Sequence, residues 1–113
     1  MKTIFWAICT ALIAVWAWAA PAANQAGAKL YAANCQGCHG VGAGGVNGVG
    51  PVLKGEVAGW KFELFKRAVL TGVNDAGETM NPAMPHFAKK GFAGKTPTDA
   101  QLREIQAYLK SLK

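Results

Sequence analysis

The chain has 113 residues, 51% of them hydrophobic, and a net charge of +6. That length leaves room for one small domain and excludes a second. Met1-Lys2-Thr3 gives a short positive start, and Ile4 to Ala20 carries no charge. Small residues follow at Ala17-Trp18-Ala19 and Ala20-Pro21-Ala22, and either triplet suits an A-x-A cleavage site. Residues 1–22 therefore read as a cleavable signal peptide and 23–113 as the domain. An uncharged run of about 17 residues is also at the lower limit for spanning a bilayer, so the alternative is a retained N-terminal anchor. Cys9 comes too early in this run for a lipoprotein signal and reads as one of its apolar residues. Removing the signal leaves eleven basic residues against six acidic ones. It also leaves two cysteines, Cys35 and Cys38, in a compartment where thiols are oxidised or capped. Export points to the periplasm and takes the chain away from nucleic acid.

Three helices are predicted, with no strand alternation between them, so the expected fold class is all-α. The first starts at Asn24 or Gln25, with Asn24 placed to cap it, and ends at Asn34; Gly27, Leu30, Tyr31 and Asn34 fall at helical spacing. From Gly40 to Gly50 the chain is almost all Gly, Val, Ala and Asn, a loop that must bend sharply or pass close to something bulky. Gly50-Pro51-Val52-Leu53 closes it with a stiffening proline. The second helix spans roughly Trp60 to Thr71, with Leu64, Phe65, Ala68 and Val69 in one stripe and Gly72 as its stop. Gly72 to Phe92 reads as irregular, because Gly77, Pro82 and Pro85 oppose a long element. The third helix begins at Thr98 and Gln101, a T-x-x-Q capping box, and carries Leu102, Ile105, Leu109 and Leu112 on one stripe with Tyr108 beside it.

Cys35-Gln36-Gly37-Cys38-His39 is a C-x-x-C-H run, the signature of c-type haem attachment. Two thiols a turn apart match two vinyl groups on neighbouring pyrroles, and the histidine after Cys38 turns its imidazole towards the iron. One haem c, bound covalently through Cys35 and Cys38, is the expected cofactor. Other readings compete for the same residues. A thioredoxin-like dithiol needs a βαβ setting, a zinc site from Cys35, Cys38 and His86 lacks a second ligand pair, and a disulfide across two residues is strained. The iron position away from His39 has Met80, Met84, His86, a lysine or nothing to fill it. Both methionines sit in a proline-pinned loop, Thr79 to Phe87, where a thioether has the freedom to lie over a ring. The bland reading of either is gap-filling core.

Taken in order, a helix leading into C-x-x-C-H, a G-P-x-L segment, a middle helix, a Met-Pro pair and an aromatic-bearing last helix make the chain resemble the class I cytochrome c family. The likeness runs from Gly27 to Leu112. It implies a small cytochrome c fold, three main helices and loops wrapped around one covalently bound haem. By the same resemblance Met84, before Pro85, is the sixth ligand, so the implied metal ligands are His39 and Met84. Pro51 corresponds to the proline whose carbonyl accepts a hydrogen bond from the ligand histidine, and Gly27 and Tyr31 to the close crossing of first and last helices against Tyr108. Leu53, Phe62 or Phe65, Val69 and Phe87 fall at pocket positions that ordinary core packing explains equally well. Trp60 is placed either to hydrogen-bond a haem propionate or simply to pack at a helix start.

The function this implies is one-electron transfer between redox proteins, not catalysis. The alternatives are a haem subunit of a periplasmic oxidoreductase complex oxidising an alcohol or a sulfur compound, and a haem sensor or peroxidase with an open distal site. Lys54, Lys61, Lys66, Arg67, Lys89, Lys90 and Lys95 either ring the exposed edge and steer a partner with an acidic docking surface, or form an ordinary solvated face. Contact with a membrane is expected only through partner complexes or the N-terminal anchor.

Overall fold

A hydrogen atom is all that fits between the first and last helices where they cross. In the computed structural model, which describes residues 25–113, helix α1 (Gln25–Asn34) lies across the C-terminal helix at Gly27. A Cβ at that position would meet the Glu104 carbonyl oxygen at 1.9 Å and the Tyr108 Cβ at 2.9 Å. One turn on, Tyr31 is fully buried, with its ring centroid 5.3 Å from that of Tyr108. The close crossing expected at Gly27, Tyr31 and Tyr108 is therefore present. The signal peptide assigned to residues 1–22 and the capping role of Asn24 lie outside the described residues.

The remaining elements are α2 (Gln36–His39), α3 (Phe62–Thr71), α4 (Phe87–Lys90) and α5 (Asp99–Ser111), with 3₁₀ turns at Val41–Ala43 and Val57–Gly59. Isolated bridges pair Val46 with Gly50, Val73 with Thr79 and Phe92 with Lys95, and the described residues contain no strand. The all-α expectation holds. Helix α5 starts as its sequence dictates: Thr98 Oγ1 accepts from the Gln101 N–H at 3.1 Å, and Gln101 Oε1 accepts from the Thr98 N–H at 3.0 Å. It buries Leu102, Ile105, Gln106 and Leu109, while α3 buries Phe65, Ala68 and Val69 and ends at Gly72 in the left-handed conformation.

Three details depart from the sequence reading. Helix α3 begins at Phe62, because Trp60 and Lys61 are extended (ψ 152° and 141°) and Trp60 instead closes the 3₁₀ turn with its N–H on the Val57 carbonyl. The two four-residue helices, α2 and α4, are too short to leave a periodic signal. Leu112 follows α5 as its C-cap. Helix α4 buries Phe87, which meets Phe92 edge-on at 5.2 Å.

The glycine-rich loop passes close to backbone. At Gly50 a Cβ would stand 2.3 Å from the Cys38 carbonyl oxygen, so only glycine lets this strand of the loop lie against α2. The Tyr31 hydroxyl donates to the Gly40 carbonyl at 2.6 Å and ties α1 to the loop's start.

Gly27→Ala should push α1 off α5, at a cost of about 2 kcal/mol or more and a thermal midpoint lower by roughly 10 °C. Gly59→Ala, where an added Cβ meets nothing within 4 Å, should be near neutral in the same thermal unfolding assay.

Candidate functional site

Between α2, α3, α5 and the loops lies a cavity of about 440 Å³, within the range of small-molecule and cofactor sites. Phe65, Ala68 and Val69 of α3 and Ile105 and Leu109 of α5 line it with the same residues that build the core. Gly50, Pro51, Leu53, Val57 and Trp60 add a further stretch, and residues 80–85 contribute Met80, Asn81, Ala83, Met84 and Pro85. Among the described residues, no Asp, Glu, Lys or Arg touches it.

Cys35, Cys38 and His39 all line this cavity. The N–H groups of Cys38 and His39 both donate to the Cys35 carbonyl, at 3.2 and 3.0 Å, so the two thiols stand one helical turn apart. Cys35 is half-buried and Cys38 exposed. Burial, with the neighbouring Cys38 adding to it, pushes the Cys35 thiol up to about 12. A thiol so held is protonated at neutral pH, the opposite of the lowered value that marks a reactive dithiol. His39 is only 6% exposed. Its Nδ1 lies 2.8 Å from the Pro51 carbonyl oxygen. A carbonyl only accepts, so Nδ1 carries the hydrogen, and in the neutral ring Nε2 keeps its lone pair. The Pro51 contact implied by the family resemblance is thus found.

The structure brings both methionines to the cavity and sets them apart by packing. Met84 is partly buried against the main hydrophobic cluster, and Met80 is not part of it. The Met84 N–H donates to the Asn81 carbonyl at 3.1 Å, and the Ala83 N–H to Asn81 Oδ1 at 2.9 Å. Asn81 thus shapes the turn that carries Met84. The Asn81-Pro82 dipeptide is the turn signal that points to it. His86 lies away from the lining, its ring over Gly72, where an added Cβ would stand 2.5 Å from His86 Nε2. No group of three or more His, Cys, Asp or Glu able to hold a metal ion occurs among the described residues, so the zinc reading is not assembled.

Of the expected pocket residues, Leu53, Phe65, Val69 and Phe87 line the cavity, and Phe62 does not. Phe62 instead lies under the Arg103 guanidinium, 3.8 Å from its ring centroid. Trp60 does line the cavity, and its indole Nε1 is buried without a hydrogen-bond partner. A buried donor left unpaired in a hollow marks where an acceptor on a bound molecule belongs. None of the seven basic residues singled out above lines the cavity. Its exposed lining consists of Cys38, Val49, Pro51, Asn81 and Ala83, and the uncharged stretch 40–53 shows Val41, Val46, Val49 and Val52 to solvent.

Two thiols a turn apart, an imidazole with a free Nε2, thioethers and an unpaired N–H in an apolar hollow form a donor set that fits a haem. The cytochrome c family profile matches residues 24–113. The chain belongs to the cytochrome c family. It is 31% identical to cytochrome c6 of Thermostichus vulcanus, over 96% of this chain and 91% of that protein. To cytochrome c6 of Picosynechococcus sp. (strain ATCC 27264 / PCC 7002 / PR-6) it is 30% identical, over 96% and 92%. Among solved structures it resembles the c-type cytochrome XoxG of Methylobacterium extorquens AM1, with a TM-score of 0.56 and 22% identity over 77% of this chain. It resembles cytochrome CL of the marine methylotroph Methylophaga aminisulfidivorans MPT likewise, with a TM-score of 0.53 and 21% identity over 79%. The chain spans 48% and 54% of those two structures, so they speak to the fold alone. Family membership implies covalently bound haem c, iron binding and electron transport.

Tyr31, beside this site, supplies a pH test. Desolvation by burial, then the nearby Cys35 and Tyr108, raises its pKa to about 12 from an ordinary value near 10. A phenol raised in the folded state contributes stability in full below pH 10 and loses it as the pH climbs towards 12, at up to about 1.4 kcal/mol per pH unit. Denaturant unfolding of the holoprotein across that window should show Tyr31→Phe losing less stability than the parent.

Proposed function

We propose that the chain is an exported monohaem cytochrome c that carries single electrons between redox proteins. The observation that carries this reading is the His39–Pro51 hydrogen bond, which leaves Nε2 as a ligand in a cavity shared with Cys35, Cys38 and Met84. Cys35 and Cys38 would serve as the two thioether anchors, and His39 Nε2 and the Met84 sulfur as the iron ligands. Met84 is favoured over Met80 by its packing on the core and its place before Pro85. Bound haem c supplies the one-electron couple. The chain's own residues would hold it in an apolar hollow, and with His39 and Met84 both ligating the iron no position would be left for a substrate, which favours transfer over catalysis. The unpaired Trp60 N–H would then donate to a haem carboxylate.

The cavity's uncharged exposed margin is the surface through which a redox partner makes close contact. None of the seven basic residues lines that margin, and the net positive charge of the chain speeds encounter with an acidic partner. The cytochrome c6 relatives are matched over nearly their whole length, and this supports a free single-domain carrier over a subunit of an alcohol- or sulfur-oxidising complex. The N-terminal segment directs the chain to the periplasm and is removed there. Mass spectrometry of the exported holoprotein should give a chain starting at Ala20 or Ala23 with one haem attached. A chain keeping Met1 to Ala19 marks a retained anchor instead.

The decisive measurement is a redox titration with visible spectra of two methionine variants. Met84→Ala should lower the potential by more than about 59 mV, a tenfold change in the redox equilibrium. It should also abolish the weak ferric band near the red end and let the ferrous protein bind CO. Met80→Ala should change little. The reverse pattern overturns the ligand assignment.

A further inference from the structure

Helix α5 carries a polar side chain where its apolar stripe calls for a hydrocarbon. Leu102, Ile105, Gln106 and Leu109 follow the spacing of one buried helix face, and Gln106 is 5% exposed. Its Nε2 donates to the Trp60 carbonyl at 2.7 Å and lies 3.5 Å from the Ala58 carbonyl. Two acceptors on one side require the amide's NH₂ end there, which fixes the orientation of the group. A leucine at this position would bury comparable volume without desolvating an amide, so packing alone does not account for glutamine.

What the amide holds is the backbone of Trp60. The Trp60 N–H is already bound to the Val57 carbonyl at 3.1 Å, and Gln106 takes its carbonyl. With both peptide groups fixed, the indole has only its own two torsions left. Those torsions set where the buried, unpartnered Nε1 stands in the cavity. We infer that Gln106 is a positioning residue: by clamping the 58–60 turn to α5 it aims the Trp60 indole N–H at the carboxylate of the bound cofactor. This rests on the haem reading above. The indole N–H offsets carboxylate charge near the iron, and an N–H that wanders leaves that charge to favour the ferric state.

The test is a cycle of holoprotein variants, Gln106→Leu, Trp60→Phe and the double variant, each read by midpoint potential and by thermal unfolding. Trp60→Phe should shift the redox equilibrium about threefold towards the ferric form, roughly 28 mV. Gln106→Leu should shift it in the same direction, by no more than that. In the Trp60→Phe background, Gln106→Leu should lower the thermal midpoint as before but leave the potential where it is. Additive shifts in potential, or a Gln106→Leu protein with parental potential, overturn the inference and leave Gln106 a purely structural clamp. Gln106→Met keeps the unbranched stem and carries the same expectations if the leucine variant fails to hold haem. Failure of both to hold it also counts against a positioning role. If Trp60→Phe leaves the potential unmoved while Met84→Ala still abolishes the red-end band, the inference fails and the electron-carrier reading stands. If Met84→Ala keeps the band, it is that reading which fails.

Discussion

Everything in this domain is arranged around the near-contact of α1 and α5 at Gly27. Backbone meets backbone there, with no side chain to absorb a misfit, so the angle and register of the two helices are fixed together. Helix α3 then packs on α5, and the chain between α1 and α3 has to pass around the hollow they leave. On its inner side that hollow has no wall of its own. Phe65, Ala68, Val69, Ile105 and Leu109 are at once the core and the lining, so the site is as well determined as the packing of two helices. For a domain of this size a bound group that completes the core acts as the staple small folds need.

The cavity's electrostatics follow from what is kept out of it. Charges are spent elsewhere: Lys66 pairs with Asp99 at 2.9 Å, Arg67 donates to the Asn74 carbonyl, and Lys54 Nζ reaches the Lys113 carbonyl at 3.2 Å. The Lys66–Asp99 pair is on the surface and adds little stability. The hollow is left to dipoles, among them the His39–Pro51 hydrogen bond, the Trp60 indole and the Asn34 and Asn81 amides. In an uncharged setting small dipoles weigh heavily on a redox centre.

How much of this was legible depended on whether a residue announces itself locally. Cys35, Cys38 and His39 do so by spacing, Thr98 and Gln101 by their reciprocal caps, and Gly72 by its place after an apolar stripe. Each owes its role to neighbours within a few positions. Helices α2 and α4 could not be seen, since one turn has no period. Trp60 was misplaced on a helix because the extended backbone before Phe62 is imposed by the 3₁₀ turn and by Gln106, far away in sequence. Gln106 itself was the polar member of an otherwise apolar stripe, a visible anomaly whose meaning lay in carbonyls more than forty positions earlier. Of Phe62 and Phe65, either of which fitted the family's pocket, Phe65 lines the cavity and Phe62 faces Arg103. The position of the lysines relative to the cavity was open from sequence, and in the fold none of them lines it.

The Gly27 crossing also bears on how the chain finds this structure. Most of the described sequence lies between Gly27 and Glu104, and closing a loop of roughly 80 residues costs about 4 kcal/mol in chain entropy before either helix is rewarded. Contacts of such long separation slow folding. A group joined to the chain at residues 35–39 and held again at residue 84 would divide that one long loop into shorter ones. Attachment of the cofactor would then do kinetic as well as chemical service, because it would bring the two distant helices within reach of each other before they touch.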